Sequence, residues 1–169
     1  VALMMGIIIS SQAQQIIKKD IEIDAMVKEI SVDTLSQNLN KLVSFGTRAT
    51  LSNQSSALKG IGAARAWILS RFNDYAKSSN GRLTAFIDTI TYNADKRRVD
   101  RPIILGNVVA TLKGTDPNDK RIFIISGHLD SRRSNEMDSV GDAPGANDDG
   151  SGKILNSLQS QSLTIFWLP

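Results

Sequence analysis

Leu35, Leu39, Leu42 and Val43 recur at spacings of four, three and one, with polar residues filling most positions between them. This is the stripe of an amphipathic helix that opens at Ser31 or Asp33 and closes at Ser44-Phe45-Gly46, with Gly46 placed to cap it. A largely polar run, residues 47–56, leads to a second helical pattern over residues 57–77. There Ile61, Ala64, Ile68, Phe72 and Tyr75 share one side, and Ser78-Ser79-Asn80-Gly81 stops the repeat. Beyond residue 81 the period changes. Residues 83–92, 103–113 and 121–127 read as strands, the last carrying Ile122-Phe123-Ile124-Ile125, apolar on both faces as in a sheet centre covered from both sides. The 114–120 connection holds Asp116-Pro117-Asn118-Asp119, which is turn chemistry and too short for a crossover helix. The sheet is therefore expected to be mixed, with antiparallel pairing early in the chain. Residues 153–161 resemble a further helix, and 163–168 read as a strand or an unnatural end. Helices, then strands, then a helix argue for an α/β fold, a three-layer α/β/α sandwich around a mixed sheet.

The first nine residues form an apolar run that ends in Ser10-Ser11-Gln12-Ala13, with small residues at 11 and 13 as signal peptidase requires. Residues 1–13 are expected to be the remnant of an export signal, 14–30 a mixed N-terminal segment, and 31–169 the N-terminal part of one truncated domain. The expected location is secreted or periplasmic. The apolar run is about half the ~20 residues that span a bilayer. The absence of cysteine removes both disulfides and a lipidated cysteine anchor, so no stable membrane anchor is expected.

With 169 residues, 41% of them hydrophobic and 22% charged, the chain suffices for one core. The net charge of +3 does not by itself suggest a nucleic-acid partner. Lys96, Arg97, Arg98 and Arg101 alternate with Asp95 and Asp100 without interleaved aromatics, the pattern of a solvated loop.

Candidate chemistry converges on the single histidine. His128 follows the most apolar strand, where ligands of open α/β sheets gather. If extended geometry persists, His128 and Asp130 lie on one side and Leu129 turns inward. A carboxylate so placed takes the second imidazole N–H, fixes the tautomer and raises basicity toward a metal. Shortly after comes Asp142-Ala143-Pro144-Gly145-Ala146-Asn147-Asp148-Asp149-Gly150-Ser151-Gly152, in which proline and glycines permit sharp turns and two aspartates offer hard oxygen ligands. On composition alone this is a polar surface turn; beside His128 it is half of a metal site. The spacings do not fit an EF-hand, and Gly150-Ser151-Gly152 is not a nucleophile elbow.

Gly127-His128-Leu129-Asp130-Ser131 and Ala143–Gly152, with weaker support from Phe45-Gly46-Thr47-Arg48 and Asn107–Gly114, resemble the co-catalytic di-zinc aminopeptidases of the bacterial leucyl aminopeptidase type, relatives of glutamate carboxypeptidases. The resemblance implies two Zn2+ ions, with His128 binding one, Asp130 orienting His128 from behind, and Asp148 bridging both. Asp149 would not be a ligand, and the Asp148–Asp149 peptide would be cis. It further implies release of N-terminal residues from a peptide substrate by a water shared between the metals, with a glutamate as general base. That glutamate and the remaining ligands have no counterpart here, since Glu136 is the last glutamate and precedes Asp148. The chain is accordingly expected to be an inactive N-terminal portion of a metallo-aminopeptidase. The alternatives are a non-catalytic peptide- or protein-binding relative and a non-functional truncated product.

Overall fold

The computed structural model describes residues 19–151 and 165–168. The proposed export signal and the helix expected over 153–161 lie outside them. The chain divides into two units between Ser31 and Val32. In the first, Asp20 accepts hydrogen bonds from the backbone N–H of Glu22 and Ile23, capping helix α1 (Ile21–Lys28). Asp24 holds this short helix between Lys19 at 2.5 Å and Lys28 at 2.8 Å.

In the second unit, helix α2 (Val32–Ser44) occupies the span of its leucine stripe. Gly46, at φ 75°, adopts the left-handed conformation expected of a capping residue and donates its N–H to Val43 at 3.0 Å. Helix α3 (Gly60–Ala76) starts three residues later than its periodicity suggests. The reason is local: Asn53 takes the N–H groups of Ser55 and Ser56, and Ser56 takes those of Leu58 and Lys59. These turns hold the backbone out of the helix until Gly60.

Strands β1 (Leu83–Tyr92) and β2 (Ile103–Lys113) have the expected bounds and pair antiparallel, Leu83 opposite Leu112 and Tyr92 opposite Ile103. Leu83, Ala85 and Ile87 point with Val108 and Ala110 toward the helices, where Leu42, Phe45, Ala64, Ile68 and Phe72 complete the core. The Phe45 and Trp67 rings pack at 6.1 Å with a 54° tilt, joining the end of α2 to α3. The opposite face of β1 is open, with Phe86 and Ile90 exposed.

Strand β3 is shorter than expected, Phe123–Ile125, and does not lie at the sheet centre. The order is β1-β2-β4-β3, with β4 (Ile165–Leu168) inserted parallel to β2 and antiparallel to β3. Among the described residues β3 is therefore an edge strand, and Phe123 and Ile124 are half exposed. The apolar run correctly marks a strand, but its neighbours depend on a segment forty residues away. The sheet is mixed. No described helix is long and apolar enough to cross a membrane.

Candidate metal centre

Past Ile125 the period of two carries on: Leu129 packs on the core while His128 and Asp130 lie together on the other side. The Nδ1 atom of His128 lies 3.1 Å from the Asp130 main-chain oxygen and 3.3 Å from its Oδ1. Both are acceptors, so a proton on Nδ1 would be held there by Asp130. The other nitrogen, Nε2, lies 3.1 Å from Asp148 Oδ1.

Asp148 reaches this position from a single irregular turn, residues 146–150. Gly145 enters it at φ 47°, and a methyl group there would meet Ser131 Cβ at 2.5 Å and the Asp148 carbonyl oxygen at 2.8 Å. Only a residue without a side chain fits. Asp148 and Asp149 leave helical geometry (φ −118°, ψ 94° and φ −118°, ψ 35°), the peptide between them is cis, and Gly150 N–H closes the turn on Gly145 O at 3.0 Å.

The residue that sequence reading missed is Arg48, whose side chain is completely buried. Its Nε donates to Leu129 O (2.9 Å), Nη1 to Leu42 O (3.1 Å) and Pro144 O (2.8 Å), and Nη2 to Gly145 O (3.1 Å). Beside it Ser131 Oγ donates to Ala143 O at 2.6 Å and accepts from the Arg48 N–H at 3.3 Å. Burial pushes the Arg48 guanidinium pKa down, partly offset by the Asp130 carboxylate. Phe45-Gly46-Thr47-Arg48 was visible in the sequence as a motif, but nothing in it signals these partners.

His128 and Asp148 border a cleft of about 560 Å³ with Asp130, Arg132, Arg133 and Asp142. Arg132 is turned toward Glu136 (3.5 Å) and Arg133 toward Asp138 (3.3 Å). Backbone N–H groups of Gly141 and Val140 hold the Asp138 carboxyl below its ordinary range, with Arg133 adding to them. A larger cavity, about 920 Å³ beside Leu51, Lys59 and Ile104, does not include His128 or Asp148.

The donor set suits zinc. When the proton is on Nδ1, Nε2 turns a lone pair toward a carboxylate oxygen 3.1 Å away, and a cation held by both would relieve the facing lone pairs. Two ligands at about 2.0–2.1 Å on a tetrahedral ion lie about 3.3 Å apart, close to the 3.1 Å observed. Among the described residues no group of three or more metal-ligating side chains converges. His128 and Asp148 are thus a pair of candidate donors.

The comparisons agree with that chemistry. Residues 107–159 match peptidase family M28. This M28 segment runs from Asn107 in β2 through His128, Asp130 and Asp148. Over 134 residues, 79% of this chain and 31% of the relative, the chain is 46% identical to a probable zinc metalloprotease of Leptosphaeria maculans. It is 45% identical over 151 residues to a probable zinc metalloprotease of Pyrenophora teres f. teres, covering 89% and 32%. Leucine aminopeptidase 1 of Fusarium vanettenii is 28% identical over 138 residues, covering 82% and 30%. The chain spans about a third of the length of these curated relatives. No solved structure matches it.

Proposed function

We propose that this chain carries one side of the metal centre of an M28-type zinc peptidase that removes N-terminal residues from peptides. The observation that carries the reading is the 3.1 Å approach of His128 Nε2 to Asp148 Oδ1, with Nδ1 backed by Asp130, inside the M28-matching segment. His128 and Asp148 would hold zinc. Asp130 would keep the Nδ1 proton in place and so leave Nε2 free to donate. Bound there, zinc supplies an acidified water and a Lewis acid for the scissile carbonyl. The exposed carboxylate of Asp148 leaves room for a second ion, and we read the pair as the basis of a two-zinc site inside a three-layer α/β/α sandwich.

The aminopeptidase reading rests on the motif resemblance and on the more distant leucine aminopeptidase relative. Export rests on the apolar residues 1–9 and the small residues Ser11 and Ala13. Every glutamate of this chain precedes Asp148, so we propose that the chain alone does not turn over peptides.

Zinc titration against a chromophoric chelator tests the metal reading. The chain should bind Zn2+ more weakly than a four-ligand site, His128→Ala should abolish binding, and Asp130→Asn should weaken it about 10–100-fold. Equal affinity in all three proteins would overturn it. Hydrolysis of aminoacyl anilides but not their N-acetylated forms, by a longer form of the protein that carries a general-base glutamate after Asp148, tests the aminopeptidase assignment.

A further inference from the structure

We infer that Arg48 is a positioning residue that sets the separation of His128 and Asp148 by tying their two segments to the end of α2, an inference that rests on the metal-centre reading above. All four of its side-chain hydrogen bonds end on main-chain carbonyls, and two of the three segments involved contribute to the site. Leu129 sits between His128 and Asp130. Pro144 and Gly145 lead directly into the turn that presents Asp148. Leu42 belongs to the last part of α2, the rigid element against which the others are registered.

The choice of arginine is informative. A guanidinium offers its N–H donors in one rigid plane, so bonds leaving Nε, Nη1 and Nη2 fix four acceptors on three segments relative to one another. Lysine has a single swivelling ammonium and cannot impose that geometry. A buried cation is also expensive, and a well-packed apolar side chain of similar volume is often as stable or more so. Packing alone does not call for a charged group here; holding carbonyls from distant segments in one plane does.

Two further contacts tighten the same clasp. A methyl group at Gly145 would lie 2.9 Å from Arg48 Nη2, so turn and guanidinium are in direct apposition. Ser131, next to Asp130, receives the Arg48 N–H, donates its own N–H to Arg48 O at 3.4 Å, and bonds Ala143 O through Oγ. The backbone on either side of the centre is thus stitched twice, once through a side-chain plane and once through a hydroxyl.

The test compares Arg48→Lys, Arg48→Met and Ser131→Ala with the parent chain. Three readouts are used: urea unfolding, Zn2+ affinity, and the 15N signals of the imidazole in zinc-free protein. The last is unambiguous because His128 is the chain's one histidine. Expected are folded Arg48 variants whose imidazole 15N signals move away from the parent's and whose Zn2+ affinity drops about 10–100-fold, with Lys no better than Met and Ser131→Ala shifted less in the same direction. Variants that unfold at lower urea yet keep the parent imidazole signals and zinc affinity within twofold would overturn the inference, leaving Arg48 a stabilising residue only. Should both Arg48 variants fail to fold, Ser131→Ala decides by the same criteria. If the parent binds no zinc, the metal reading fails, while the imidazole signals still decide the positioning role.

Discussion

At the scale of single residues, the site is a matter of which oxygen faces which nitrogen. The pairing of His128 with Asp130 was legible in the sequence, because two residues of an extended chain separated by one always share a side. The approach of Asp148 was anticipated only by resemblance, since the conformation of a glycine-rich turn is not written in its hydropathy. Arg48 was illegible for a different reason: its partners are main-chain carbonyls, which every residue type possesses. Asp95 gives an independent residue-scale check. Its Oδ1 accepts the N–H groups of Arg97, Arg98 and Val99 at 2.8–2.9 Å, and these bonds, led by that of Arg97, lower its pKa to about 2. Because the folded value lies below the unfolded value of about 3.9, the stabilisation is present above about pH 4. It is lost as pH falls through about 2. Carboxyl NMR titration should place Asp95 near 2, and Asp95→Asn should remove that part of the acid dependence.

At the scale of elements, local pattern and local structure agree where the determinants are local. β1 and β2 keep the bounds their alternation suggests, and α2 ends where Gly46 takes up its left-handed conformation. α3 starts late because Asn53 and Ser56 offer side-chain acceptors to the backbone ahead of it. The place of β3 at an edge was beyond such reasoning, because β4 inserts between it and β2. The joint between helices and sheet has a clear weak point in Phe72, fully buried in the core formed by both helices and β2. Phe72→Ala should cost about 3–5 kcal/mol, seen as a lower urea midpoint with an unchanged transition slope. Tyr75→Ala, at the exposed end of the same stripe, should cost far less.

For the molecule as a whole, metal binding and folding should be linked if His128 and Asp148 meet only in the native state. At free zinc one hundred times the dissociation constant, linkage raises stability by about 2.7 kcal/mol. Calorimetry should show this gain in the parent chain and its loss with a chelator or in His128→Ala. The open face bearing Phe86 and Ile90 adds a second whole-molecule property, an apolar surface that in isolation favours self-association.

The Arg48 clasp also has a kinetic meaning. Its partners Leu129, Pro144 and Gly145 are 81, 96 and 97 residues away along the chain, whereas the helices and the β1–β2 hairpin close over short separations. Contacts that close long loops pay their entropy before they return any energy, and so tend to form after local ones. A nascent chain is therefore expected to form its helices and hairpin while His128 and Asp148 are still apart, an order that pulse-labelled hydrogen exchange at the Gly150 N–H would check.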